Sequence, residues 1–191
     1  MRRLLPWLLG ASLAFACSTG SPAPAATATP TPNASPAPPA VVVGPPVARI
    51  LDGAQAGLAP AGGQDHLDLA EAASREENQP LALTRFRSWG WVDEATRAWG
   101  GASPHLDESL LLLTRVEGAR MAFADLIVER LVAPFTSTPC PMRLGLDECA
   151  EARAGGRGLL IGQAGPYVIT LSAAGVDLDS EAALQLQRLR S

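Results

Sequence analysis

LLIGQAGPYVITLS, residues Leu159–Ser172, holds two short apolar runs separated by Ala164-Gly165-Pro166. Runs of this length, rich in β-branched residues and broken by a Gly-Pro turn, predict a β-hairpin over Leu159–Gln163 and Tyr167–Ser172. Upstream, Gly155-Gly156-Arg157-Gly158 reads as a turn, which makes Glu148–Arg153 a third strand of the same sheet. Downstream, Asp177–Arg190 reads as a closing helix. Aspartates stand at its start and Arg188 and Arg190 in its last turn, as its macrodipole favours.

Further out, LLLLTRV (Leu110–Val116) predicts a buried strand. Glu117–Val132 predicts a helix with Ala119, Ala122, Phe123, Leu126, Ile127 and Leu131 on one face, closed by Pro134. Pro80 suits the first turn of a helical stretch running toward Trp99, interrupted at Gly90 and ended by Gly100-Gly101. Leu67–Arg75 reads as a short helix, Gln55–Asp65 as a loop and Val47–Leu51 as a strand. The order implies an α+β fold: an antiparallel sheet of about four strands with helices packed on one face. At about 145 residues, a domain spanning 47–191 is large enough to be stable without a metal.

Phe86, Trp89, Trp91 and Trp99 concentrate the aromatic side chains in one segment. At helical spacing Phe86 and Trp89 face together with Ala82 and fill a core, while the Gly90 break turns Trp91 elsewhere. Trp89, Trp91 and Trp99 are the candidate ligand-binding residues, as the walls of an aromatic groove for an apolar, sugar or peptide ligand. Cys140 and Cys149 flank a short Pro- and Gly-containing loop. Their spacing fits neither a redox pair nor a zinc site, so a structural disulfide is expected, stabilising by about 2–3 kcal/mol.

Several chemistries lack their residues. The net charge is −4 and no basic stripe exists, so no nucleic-acid partner is expected. All 15 basic residues are arginine, which excludes a P-loop lysine, a Schiff-base lysine and a Ser–Lys dyad. The tripeptides His66-Leu67-Asp68 and His105-Leu106-Asp107 offer His and Asp, but without a third imidazole or a His-x-x-x-His pair they read as turn and cap residues. No Gly-x-Ser-x-Gly elbow and no Gly-x-Gly-x-x-Gly loop after a strand is present. No catalytic residue, metal or cofactor is expected, and a hydrolase with a site assembled from distant residues has no motif behind it.

The N-terminus carries a different message. Arg2 and Arg3 precede a short apolar run, Leu4–Ala16, too short to span a bilayer and patterned as a signal peptide over 1–16. Ser18–Pro46 is uncharged and rich in proline and alanine, a composition that forms neither helix nor sheet and predicts a disordered tether over 17–46. Such a tract reaches about 90 Å fully extended and about 30 Å as a coil. Leu13-Ala14-Phe15-Ala16-Cys17 resembles the signal of bacterial lipoproteins, whose cysteine becomes the lipid-modified first residue; it departs from the pattern at Ala14 and at the bulky Phe15. The segment FRSWGWVDEATRAW (Phe86–Trp99), with the strand, helix start and hairpin after it, is similar to a group of exported bacterial lipoproteins with small α+β domains. That resemblance implies an exported domain held on the outer face of the cell membrane by a lipid on Cys17. The residues themselves lead to the expectation of a binding or accessory domain that contacts an envelope protein or a small ligand, with a solute-binding or sensing domain using the aromatic segment as its pocket as the alternative.

Overall fold

The computed structural model describes residues 39–52, 57–132, 135–140 and 144–191. Cys17, the signal peptide and the tether up to residue 38 lie outside the described residues. All described residues belong to one unit, Ala37–Ser191.

The hairpin is β6 (Arg157–Ala164) and β7 (Tyr167–Ala174), with Ala164 opposite Tyr167 and Arg157 opposite Ala174. β5 (Glu148–Ala154) pairs with β6, and the four-residue β4 (Thr136–Pro139) forms the edge beyond it. On its other side β7 pairs with β3 (His105–Leu113), followed by β2 (Trp91–Gly100) and β1 (Pro60–Leu67). The sheet is antiparallel throughout, in the order β1-β2-β3-β7-β6-β5-β4. It is larger than the four strands expected: six strands of seven residues or more, plus the short edge strand.

Five helices cover it: α1 (Pro46–Arg49), α2 (Leu69–Ser74), α3 (Gln79–Trp89), α4 (Val116–Arg130) and α5 (Leu178–Arg190). They do not share one face, as the sequence reading had them. Leu111, Leu113, Ile161 and Val168 pack with α2, α3 and α4. Leu110, Leu112, Leu160, Ile169 and Leu171 pack with the α1 segment and α5. The physical reason is visible in the apolar runs themselves. Successive strand residues point to opposite faces, so four consecutive leucines in β3 supply both cores at once. Each buried leucine contributes about 1.5–3 kcal/mol of transfer free energy, so the leucine run Leu110–Leu113 is covered on both faces. Among the described residues, no helix is long and apolar enough to cross a membrane.

Four local expectations change. Trp91–Gly100 is a strand, not the continuation of a helix, and the predicted loop at Gln55–Asp65 ends in the edge strand β1. Val47–Leu51, expected as a strand, starts in the short helix α1. Residues 39–46, assigned to the tether, belong to the folded unit: Val42 N donates to Leu189 O at 2.8 Å and Gly44 N to the Tyr167 hydroxyl at 2.7 Å. Cys140 and Cys149 are paired, with Cα atoms 5.5 Å apart, one step beyond the last β4–β5 ladder pair of Pro139 and Ala150.

Candidate functional site

The aromatic segment is built by a helix that stops abruptly. Asn78 Oδ1 accepts from Leu81 N at 3.2 Å and starts α3; Gly90 then takes a left-handed conformation (φ 77°) and donates to Arg87 O and Phe86 O. The reversal sends the chain directly into β2. Trp91 therefore does not point away from the helix: its ring stacks on Phe86, with centroids 4.8 Å apart and planes at 28°. Its Nε1 donates to Leu67 O at 3.3 Å. Trp89 is 2% exposed and donates from Nε1 to Asp125 Oδ2 on α4 at 2.8 Å. Gly118 permits this close approach of α4, because a Cβ there would lie 1.9 Å from Trp89 O. Trp99, also 2% exposed, packs on the opposite face with Ile50, Leu51 and Leu106. The structure thus joins Trp89 and Trp91 and separates Trp99 from them.

Phe86, Trp89 and Trp91 form one wall of a cleft of about 260 Å³ between α2 and the C-terminal end of α4. Its floor is the sheet. Thr96, Ser109 and Thr170 are register partners across β2, β3 and β7, and this row of hydroxyls replaces the apolar residues found elsewhere on that face. The hydroxyl of Ser109 donates to Glu94 Oε1. Burial pushes the Glu94 carboxyl above the ordinary carboxylate range; the Ser109 hydrogen bond and the charges of Arg130 and Arg75 pull it down, and Asp93 adds to the rise.

Donor groups without partners point into the same space. Thr170 is 7% exposed, lines the cleft, and its hydroxyl makes no hydrogen bond among the described residues. Arg85 stacks over the rings of Phe86 and Trp89, 5.1 Å from each centroid, and pairs with Glu129, yet its buried Nε has no acceptor. At the rim, Arg75 bonds Gln64 Oε1 and Glu71, whereas the Arg130 side chain has no ion pair or hydrogen bond among the described residues. A second cavity of about 490 Å³ shares Arg75, Thr96, Ser109, Arg130 and Thr170 and extends the cleft toward Asp107 and Ser172.

The two histidine tripeptides do not meet. His66 Nδ1 lies 2.9 Å from Asp93 Oδ2 beside the start of β2, and His105 Nδ1 lies 3.1 Å from Ala102 O at its far end. Among the described residues no group of three metal-ligating side chains converges. The sequence reading missed Glu94, Ser109, Thr170 and Arg130. It also missed Glu108 on the other face, which is 3% exposed and pushed up to about 8 by burial. Glu108 Oε2 accepts from Leu51 N at 3.3 Å, while its Oε1 has no partner in the structure. The available signal was a carboxylate placed among strand residues, readable for Glu94 only once β2 is recognised as a strand. Compared with protein-family models, curated proteins and solved structures, the chain shows no match.

Proposed function

We propose that this chain is a lipid-tethered, extracytoplasmic binding domain that takes a small ligand in the cleft between α2 and α4. The observation that carries the reading is the cleft itself. It sets an aromatic wall, Phe86 and Trp91, against a polar floor of Thr96, Ser109 and Thr170. Ligand sites combine apolar walls with a few placed polar groups in this way. The export and anchoring parts rest on the charged start, short apolar run and Cys17 of the sequence.

The binding test uses the mature chain from residue 17 and its three indole N–H resonances. A panel of 3-phenylpropionate, 3-phenylpropanol and 3-phenylpropylamine is titrated in. At least one member is expected to shift the Trp91 resonance saturably while Trp99, on the far face, stays fixed. No saturable shift at Trp91 from any of the three sinks the binding reading. For the anchor, intact-mass analysis is expected to show a lipid adduct on a chain beginning at Cys17, with Cys17→Ala released to the soluble fraction. A mature chain starting elsewhere without lipid overturns that part.

A further inference from the structure

Resting on the reading of the cleft as a binding site, we infer that its ligand is a small organic carboxylate, with an apolar body along Phe86 and Trp91 and its anionic end between Thr170, Arg85 and Arg130. Three observations converge. First, the buried polar atom of the lining that has no partner is a donor, the Arg85 Nε, and the Thr170 hydroxyl and the exposed Arg130 guanidinium add further donors to the same lining. A donor-lined space is satisfied by an acceptor-rich group, and guanidinium donors favour a planar carboxylate. The Arg85 Nε is buried without an acceptor, and a polar group so placed carries a cost that a ligand oxygen would remove.

Second, the cation–π positions over Phe86 and Trp89 are already taken by Arg85, so a cationic ligand would meet a resident guanidinium there. Third, the aromatic-walled part of the cleft, about 260 Å³, fits an apolar body on the order of ten non-hydrogen atoms, and the adjoining cavity of about 490 Å³ leaves the anionic end room beside Arg130.

Glu94 is the acid that an incoming carboxylate must reckon with. It faces Ser109 from β3, Arg75 from α2 and Arg130 from α4, with Asp93 beside it held by His66; Glu76 and the Arg85–Glu129 pair complete the charged lining. A carboxylate seated near Arg130 repels an ionised Glu94 and favours its protonated form. Burial already tilts Glu94 in that direction. Binding is therefore coupled to proton uptake, and carboxylate affinity falls as pH rises.

The experiment measures dissociation constants of 3-phenylpropionate, 3-phenylpropanol and 3-phenylpropylamine for the mature chain at pH 6 and pH 8, by calorimetry and by the Trp91 indole shift. The carboxylate is expected to bind about tenfold tighter than the alcohol at pH 6, and the amine weakest. Arg130→Gln is expected to weaken the carboxylate about threefold to tenfold and leave the alcohol unchanged. Glu94→Gln, which keeps a neutral group in place and leaves the His66–Asp93 pair intact, is expected to abolish the pH dependence. If the alcohol or the amine binds best, the carboxylate assignment is wrong while the binding site stands. A pH-independent carboxylate affinity in the unsubstituted chain overturns the coupling to Glu94. If no member of the panel shifts Trp91, the binding reading itself has failed.

Discussion

The two faces of the sheet handle the same strands in different ways. On the α1 and α5 side, β3 and β7 present Leu106, Leu110, Leu112, Ile169 and Leu171, and the cover above them is continuous from α5 to the 39–52 segment. On the α2–α4 side the apolar floor of β3 and β7 extends only as far as Leu111 and Val168, where Phe86 and Trp89 sit over it, while on β6 it continues through Ile161 and Leu159. Beyond that line come Ser109 and Thr170, with cleft above them instead of helix. A polar floor is therefore found where cover is missing, as the cost of burying unsatisfied hydroxyls requires. The exception on the closed face is Glu108, whose burial shows as a raised protonation equilibrium rather than as an opening.

The largest expected effect tests the roofed part of the open face. Trp89→Ala removes a buried ring together with its bond to Asp125 and is expected to cost about 3–5 kcal/mol in denaturant unfolding. A loss under about 1 kcal/mol would mean that α3 does not seal that core.

The second tests the closed face through pH. Glu108 is raised to about 8 in the fold from an ordinary value of 4.5, so the folded state holds its proton more tightly than the unfolded chain. Its contribution is fully present below about pH 4.5 and is lost as pH rises through 8. Glu108→Gln mimics the neutral acid. Its stability relative to the unsubstituted chain is expected to climb between pH 5 and pH 9; a constant difference across that range would show that Glu108 does not titrate in this way.

The third concerns the edge of the sheet far from the cleft. Reduction of Cys140–Cys149 is expected to lower stability by about 2–3 kcal/mol. The Trp91 indole environment should not change, because the bridge joins β5 to the chain just after β4. A shift at Trp91 on reduction would show that the two edges are coupled. The smallest effect is expected at Thr170→Val, which replaces a hydroxyl without an internal partner by a methyl group of similar shape. Unfolding should change by no more than about 1 kcal/mol, whereas carboxylate binding should weaken. A loss comparable to a core truncation would mean that the hydroxyl serves the fold rather than a ligand.

What could be read from the sequence divides along physical lines. The β6–β7 hairpin, β5, β3, α4 and α5 carry strong local signals: apolar runs, a turn tripeptide, 3.6-residue periodicity and charges matched to helix ends. β2 carried the opposite signal, since Glu94, Ala95, Arg97 and Ala98 are good helix formers. Only the left-handed turn at Gly90 and the ladders on both sides make it a strand. β1 holds Gly62-Gly63 and is exposed for most of its length, so it offers no alternation to read. The placement of helices on both faces was implicit in the leucine run of β3, yet a run of that kind does not say what covers each side. For the site, Trp89 and Trp91 stood out by residue type. Glu94, Ser109 and Thr170 belong together only because three strands lie side by side, and no spacing along the chain encodes that. Trp99 fell to the wrong face because a helical phase was carried through what is a strand.

The segment just before α1 has a mechanical meaning. Force applied at residue 39 loads the domain first through Val42 on Leu189 and Gly44 on Tyr167. Behind them stand Gln185 Nε2 on Arg49 O, the Arg188–Asp52 ion pair and Leu51 on Glu108. These contacts lie along α5, β7 and β3, so tension enters the most deeply packed part of the molecule and not a frayed edge. The line of pull also meets the face of the sheet that Phe86 and Trp91 do not occupy.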